Sequence, residues 1–146
     1  MKALLFPGQG VQKVGMLNFL LESDVETRNL FAQTSDVLDF DLIELIKIGP
    51  DQKLNLTEYA QPAILASSVA IARKKAADLN FSYTAGLSLG EYSALSTAGY
   101  LNFSDTLKLL RIRGDAMQNS VPKGEGGMIA VLGLSLIHIS EPTRPS

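Results

Sequence analysis

The stretch that decides the fold is AGLSLGEYSAL, Ala85 to Leu95, which holds a G-x-S-x-G pattern centred on Ser88. A short apolar run, Tyr83 to Leu87, precedes the serine, and a helix-forming run, Glu91 to Ala98, follows it. This setting predicts a nucleophile elbow, in which a strand turns sharply into a helix and holds the serine in a strained backbone above the sheet edge.

Gly86 and Gly90 flank the serine at a distance of two residues. We expect both glycines to be required, because strand and helix pass so closely at an elbow that a Cβ atom there would collide with neighbouring backbone. The start of the helix would direct unpaired N–H groups toward negative charge on a bound carbonyl oxygen. The alternative is an ordinary glycine-rich turn capped by Ser88, since the pattern also arises by chance.

The composition indicates a globular protein of about one domain, with 146 residues, 46% of them apolar and 19% charged. The net charge of −2 gives no electrostatic reason to expect nucleic acid or an anionic membrane as a partner. The one basic cluster, Arg73 to Lys75, is expected to solvate a helix end.

The chain contains no cysteine, which excludes disulfides, cysteine metal sites and a thiol nucleophile. Any covalent chemistry therefore falls to serine. The apolar run at the start of the sequence ends at Pro7 and Gly8, so it is too short for the apolar core of a signal peptide. No apolar run has the length of a membrane span. We expect a soluble, cytoplasmic protein.

The first apolar run, Ala3 to Phe6, predicts a strand that is buried on both faces and belongs to a parallel sheet. A tight loop, Pro7 to Gly10, follows it. Gln9 lies between two glycines there, so its backbone can approach other groups closely. The alternative for Gln9 is a polar turn residue that faces water.

Residues 15–48 are expected to be helical in pieces, with Gly49-Pro50 ending the last piece. This region carries an acidic cluster that alternates with apolar residues. We interpret the cluster as the solvated face of amphipathic segments and not as a metal site. Its members are Asp36, Asp39, Asp41 and Glu44.

Leu56 to Leu79 is the longest periodic segment, with Thr57 expected as N-cap and Pro62 in the first turn. Its almost wholly small and apolar middle predicts a helix buried against a sheet. The hydroxyl groups of Ser67 and Ser68 are expected to donate hydrogen bonds to backbone carbonyls one helical turn earlier.

A further helix is expected from an N-cap at Ser104 to about Asn119. Arg113 lies at the edge of its apolar face, and Arg111 lies about 200° away around the helix, so only one of them can face a common site. A surface arginine is the alternative for Arg113. The apolar face consists of Phe103, Leu107, Leu110, Gly114 and Met117.

Three separated motifs, LLFPGQG at 4–10, AGLSLGEYSAL at 85–95 and RIRGDAMQ at 111–118, resemble the malonyl-CoA:acyl carrier protein transacylases of bacterial fatty-acid synthesis. The resemblance runs from about residue 2 to about residue 134. It implies an α/β fold: residues 1–126 as the N-terminal part of an α/β-hydrolase-like parallel sheet flanked by helices, and 127–134 as the first strand of a ferredoxin-like subdomain that is truncated there. Residues 135–146 have no counterpart and resemble vector or adapter read-through, so we expect a non-native tail.

The resemblance also implies a two-step acyl transfer. Ser88 would attack the thioester of malonyl-CoA, and the phosphopantetheine thiol of acyl carrier protein would then take the malonyl group. Backbone N–H groups of Gln9 and Leu89 would form the oxyanion hole, and Arg113 would bind the malonyl carboxylate. No metal or other cofactor is implied. The glutamine of the QPA motif, Gln61, would help to order the active-site loops.

Two departures from the family pattern affect these expectations. Leu87 stands before the serine where the family usually has histidine, which we expect to alter packing and not nucleophilicity. The family's catalytic base is a histidine far downstream, and the only histidine in the chain is His138. We do not expect His138 to be the base, because it lies in the tail that lacks a counterpart.

Three other functions stay open at this point. A serine esterase or thioesterase of α/β-hydrolase type would suit the G-x-S-x-G pattern equally, although the HGGG-type oxyanion loop of such enzymes is absent. An acyltransferase domain of a polyketide synthase would use the same chemistry. The third is an inactive truncated fragment that lacks the catalytic histidine, or a protein that only binds acyl-CoA.

Overall fold

The computed structural model describes residues 1–121 and residue 125. The strand expected at 127–134, the tail at 135–146 and His138 lie outside these described residues. The elements in chain order are β1 (Ala3–Phe6), α1 (Asn18–Ser23), α2 (Val25–Leu38), α3 (Leu42–Lys47), α4 (Asp51–Leu54), α5 (Thr57–Leu79), β2 (Tyr83–Gly86), α6 (Leu89–Thr97) and α7 (Phe103–Gln118).

The two strands lie side by side in parallel, with Ala3 opposite Tyr83 and Phe6 opposite Gly86. Parallel neighbours need a long crossover connection, and α1 to α5 supply it. The predicted α/β class is confirmed. Because both strands end at the same edge of the sheet, the loop after β1 and the turn after β2 lie next to each other.

The expectation that β1 is buried on both faces is wrong for the described residues. Phe6, with Leu4 packed beside it, forms a small cluster with Ala72 of α5 and Ala94 of α6. Leu5 points to the opposite face and is 78% exposed. Helices α5 and α6 cover one face of the strand pair, and no described residue covers the other.

The main hydrophobic core lies among the helices, with α5 at its centre. The middle of α5 is buried, as predicted, but it packs mainly against other helices and meets the strand pair at Ala72, so the prediction of burial against a sheet is wrong for the described residues. Each of the seven described helices contributes at least one buried residue to it. Among the largest fully buried side chains are Phe31, Leu42, Ile46, Leu54, Ile64, Leu65, Leu89, Leu107 and Leu110.

The start of α5 differs from the prediction at two residues. The N-cap is Leu56, which makes no side-chain capping bond, and Thr57 is the first helical residue. Pro62 lies beyond the first turn and has no N–H to donate to the carbonyl of Glu58. Arg111 of α7 compensates by donating from Nη1 to that carbonyl at 3.1 Å, which is why the proline is tolerated there.

The hydrogen bond expected for the Ser67 hydroxyl is not formed. Its Oγ is buried and has no partner among the described residues. Sequence does not fix the side-chain rotamer, and the rotamer decides whether a helical serine reaches the carbonyl one turn back.

Helix α7 has Asn102 as its N-cap, and the prediction of Ser104 is wrong. The Asn102 side-chain oxygen accepts from the N–H of Ser104 at 2.9 Å and of Asp105 at 3.3 Å. Ser104 therefore lies within the first turn of α7, where its backbone N–H donates to the cap. The predicted apolar face is confirmed, since Phe103, Leu107, Leu110 and Gly114 are buried and Met117 is half-buried.

The acidic cluster has a structural role at one position. Asp41 is the N-cap of α3 and accepts from the N–H of Glu44 at 2.9 Å. Within the described ranges no three His, Asp or Glu side chains are grouped so that they could hold a metal ion. None of the described helices is both long and apolar enough to cross a membrane.

Candidate active site

Ser88 lies at the junction of β2 and α6, in the strand-to-helix turn that its sequence setting predicts. It is the N-cap residue of α6, with φ 56° and ψ −112°. A positive φ is unfavourable for a residue with a side chain, so the surrounding structure must hold it in place. The serine is exposed, and its hydroxyl is accessible at the edge of the sheet.

The two flanking glycines have the steric role expected from the sequence. A Cβ at Gly86 would lie 2.0 Å from the carbonyl carbon and oxygen of Gly90. A Cβ at Gly90 would lie 2.4 Å from the carbonyl oxygen of Phe6. All these neighbours are backbone atoms, which cannot rotate away, so larger residues are excluded at both positions.

The loop after β1 packs directly against the turn. Leu87 donates its N–H to the carbonyl of Phe6 at 3.1 Å, which continues the strand pairing into the turn. A Cβ at Gly8 would lie 3.1 Å from the Leu87 carbonyl oxygen. The Gln9 side chain donates from Nε2 to the Thr57 hydroxyl at 3.3 Å, which ties the loop to the start of α5.

The two backbone donors assigned to an oxyanion hole are not used elsewhere within the described part of the chain. The N–H of Leu89 is the first of α6, and neither it nor the N–H of Gln9 has an acceptor among residues 1–121. Leu89 is the first residue of α6, so its N–H lies at the positive end of the helix dipole. The role of the two donors stays a prediction.

Arg113 reaches the serine from α7. Its Nη2 donates to Ser88 Oγ at 2.8 Å, and its Nη1 donates to Gln61 Oε1 at 2.7 Å. The guanidinium carbon is 5.8 Å from the centre of the Tyr92 ring on α6. Both ends of the guanidinium are therefore held, and the side chain is half-buried.

Arg111 has a different environment on the opposite side of α7. Its Nη1 is 3.0 Å from Glu58 Oε2, and its guanidinium carbon is 5.0 Å from the centre of the Tyr59 ring. The expectation that only one of the two arginines faces the serine agrees with this arrangement.

Sequence reasoning gave Gln61 only a minor role and did not place it beside Arg113. The residue is fully buried, and its Nε2 contacts the Met117 sulfur at 3.3 Å. A glutamine within a buried apolar helix was the available signal, because a buried amide needs hydrogen-bond partners. Its side-chain hydrogen bonds are with Arg113 and Met117 of α7.

The geometry defines a class of α/β proteins in which a serine occupies a nucleophile elbow, here with an arginine beside it. The chain belongs to the acyl transferase domain family, whose family model matches residues 3–142.

Individual relatives and solved structures agree with this family. The chain is 49% identical over 135 residues to the malonyl CoA-acyl carrier protein transacylase of Haemophilus influenzae, covering 90% of this chain and 43% of that protein. It is similar to the crystal structure of an acyl carrier protein S-malonyltransferase from Vibrio cholerae, with 48% identity and a TM-score of 0.79 over 84% of this chain and 40% of that one. A malonyl-transacylase in complex with a type II polyketide acyl-carrier protein gives 45% identity and a TM-score of 0.78, with the same shares covered. The chain thus spans less than half the length of these proteins.

Proposed function

We propose that this chain carries the serine and the carboxylate receptor of a site that transfers a malonyl group from malonyl-CoA to the phosphopantetheine thiol of acyl carrier protein, in fatty-acid biosynthesis. The observation that carries the proposal is the 2.8 Å contact between Arg113 Nη2 and Ser88 Oγ. A single methylene separates the malonyl carboxylate from the thioester carbonyl, so a receptor for that carboxylate must lie next to the nucleophile. Arg113 meets this requirement.

In the first step, Ser88 Oγ forms a bond to the thioester carbonyl carbon, and the carbon–sulfur bond to CoA breaks. The serine proton passes through a general base to the departing sulfur. In the second step, the phosphopantetheine thiol attacks the malonyl-serine ester, and Ser88 Oγ regains a proton as the new thioester forms. The resemblance implies a histidine as this base, and because residues 1–121 contain no histidine, such a base would lie outside the described part of the chain.

The N–H groups of Gln9 and Leu89 would bind the oxyanion that forms in both steps, and one such donor contributes about 3 to 4 kcal/mol in a serine protease. Arg113 would hold the carboxylate through two parallel hydrogen bonds, which its planar guanidinium favours. An acyl group without the acid would leave the arginine unpaired and react more slowly. We expect no metal or organic cofactor, because serine and arginine supply the nucleophile and the charge, and we place the reaction in the cytoplasm.

The proposal is tested in a hybrid protein in which residues 1–121 replace the matching part of the Haemophilus influenzae transacylase. Incubation with malonyl-CoA should add a malonyl group to the Ser88 peptide, detected by mass spectrometry, and holo acyl carrier protein should then remove it. Ser88→Ala is the matched control and should give neither signal. Release of free malonate without transfer would instead support an esterase, and an unmodified Ser88 peptide in a folded hybrid would refute the proposal.

A further inference from the structure

We infer that Arg111 is a positioning residue, which fixes the rotation of α7 and thereby places Arg113 on Ser88. The inference rests on the proposed function, because Arg113 is assigned there as the carboxylate receptor. It is carried by the contacts that α7 makes with the first two turns of α5.

The first of these contacts depends on Pro62. Because the proline has no N–H, the Glu58 carbonyl oxygen is free to accept a hydrogen bond from a side chain. Arg111 Nη1 donates to it at 3.1 Å. The same nitrogen is 3.0 Å from the Glu58 carboxylate oxygen Oε2. One arginine thus binds both the main chain and the side chain of a single residue.

Aromatic rings restrict the Arg111 side chain further. Its guanidinium carbon lies 5.0 Å from the centre of the Tyr59 ring and 5.7 Å from that of Phe40. The two rings are in edge-to-face contact, with centres 5.0 Å apart. Arg111 is therefore held by an ion pair, by a hydrogen bond and by cation–π contacts, and only 33% of its side chain is exposed.

Gly114 brings α7 against the same turn of α5. A Cβ there would lie 2.8 Å from Glu58 Cα and 2.9 Å from the Thr57 carbonyl oxygen. On α7, Gly114 lies about 60° from Arg111 on one side and about 100° from Arg113 on the other. The two arginines therefore reach around opposite sides of α5, Arg111 to Glu58 and Arg113 to Gln61.

This arrangement makes the position of Arg113 sensitive to the Arg111 contact. Side chains extend about 6 Å from a helix axis, so a rotation of α7 by about 20° would move a side-chain end by about 2 Å. A shift of that size would break the 2.8 Å bond to Ser88 and the 2.7 Å bond to Gln61. Arg111 opposes such a rotation from the other side of the helix.

The test observes the Arg113 guanidinium by NMR in the full chain, with Arg113→Lys identifying its signals. A guanidinium held at both Nη atoms rotates slowly and gives resolved Nη–H signals. We expect these signals in the wild-type chain, their loss in Arg111→Met, and their retention in Lys108→Met. The last variant is the control, since Lys108 is an exposed residue of α7 and its replacement changes the charge equally. Retained Arg113 signals in a folded Arg111→Met chain would overturn the inference.

A double variant, Arg111→Met with Pro62→Ala, separates positioning from stability. The second substitution restores an N–H at position 62 for the Glu58 carbonyl, so thermal stability should recover while the Arg113 signals stay lost. Recovery of the signals would show that Arg111 only satisfies the carbonyl, which would contradict the inference. If Arg111→Met does not fold, the Arg113 signals of the double variant are compared with those of the wild-type chain instead.

Titration with malonate separates this inference from the proposed function. Malonate should shift the Arg113 signals of the wild-type chain and bind Arg111→Met about tenfold more weakly, as expected for the loss of a charged hydrogen bond. If the wild-type chain does not bind malonate but Arg111→Met still loses the signals, the proposed function is wrong and the positioning role stands. Equal malonate binding by both chains with unchanged signals would refute the positioning role alone.

Discussion

Arg113 donates a hydrogen bond from Nη2 to the Oγ of Ser88 at 2.8 Å, joining α7 to the elbow that precedes α6. The cation fixed beside Ser88 distinguishes this site from a serine placed alone at the edge of a sheet. If Ser88 is the nucleophile, as we propose, this cation should favour acyl groups that end in a carboxylate.

Replacing Arg113 should remove that preference. In the hybrid protein, Arg113→Met is expected to lower malonyl transfer to Ser88 by about 10- to 100-fold, the range for the loss of hydrogen bonds to a charged group. Acetyl transfer from acetyl-CoA should change little. Rates of Ser88 acylation with the two donors, measured by mass spectrometry, check this. The exposed Arg73→Met on α5 is the control, and an unchanged ratio of malonyl to acetyl rates would contradict the assignment.

The elbow should tolerate no side chain at position 86. Gly86→Ala is expected to destabilise the chain by more than about 3 kcal/mol, because the added Cβ meets backbone atoms that cannot move separately. Gly99→Ala is the comparison: it has φ +80° but nothing within 4 Å of the new Cβ. It should cost only about 1 to 2 kcal/mol of conformational strain. Urea unfolding of both variants tests the order, and equal losses would mean that steric exclusion is not the cause.

The N-cap of α7 can be located by mutation. Asn102→Ala should cost about 1 kcal/mol in the free energy of unfolding, because it removes the acceptor for two N–H groups of the first turn. Ser104→Ala should have a smaller effect, since the Ser104 contribution to the cap is its backbone N–H. Thermal or urea unfolding distinguishes the two, and a larger loss for Ser104→Ala would favour the cap expected from the sequence.

Two buried hydroxyls should respond to mutation in opposite directions. Ser67 Oγ has no partner within the described part of the chain, so Ser67→Ala should leave stability unchanged or raise it by up to about 1 kcal/mol. Thr34 Oγ1 donates to the Leu30 carbonyl at 2.7 Å, so Thr34→Val should lower stability by about 1 kcal/mol. Unfolding free energies of the two variants test this, and a clear loss in Ser67→Ala would indicate an unseen partner.

The free energy of unfolding should decrease at acidic pH because the carboxyl group of Asp24 becomes protonated. The Lys74 ammonium, at 2.7 Å, and the Thr27 hydroxyl and N–H lower the pKa of this carboxyl from 3.8 to about 2. Because the pKa is lower in the folded chain, the contribution to stability is complete above about pH 4 and disappears as the pH falls toward 2.

Asp24→Asn isolates this effect, because asparagine can still cap α2. The difference in urea midpoint between the wild-type chain and Asp24→Asn should be constant from pH 5 to 8 and shrink between about pH 4 and 2. A difference that does not change with pH would exclude the ion pair as its source.

Local features of the site were predictable from sequence, because local sterics and hydrogen bonding create them. Gly86 and Gly90 at a spacing of two on either side of Ser88 require a close backbone approach, and the structure contains that approach. The apolar face of α7 followed from helical periodicity alone.

Features that depend on how elements pack were predicted less well. Pro62 lies beyond the first turn of α5, where the sequence rule for prolines does not expect it. The Glu58 carbonyl, which the proline cannot bind, accepts a hydrogen bond from Arg111, 49 residues later in the chain. The exposed face at Leu5 differed from the prediction because an apolar strand does not reveal which of its faces the described helices cover.

The sequence by itself determined the sharp turn at Ser88 and the two short apolar segments that form β1 and β2, since these follow from residue size and from apolar character within a few neighbouring positions. Only the tertiary structure decided that Arg113 and not Arg111 meets the serine, and that Gln61 holds it there. Those contacts depend on the rotation of α7 against α5, and a helix rotation is set by packing between distant segments, which no local pattern encodes.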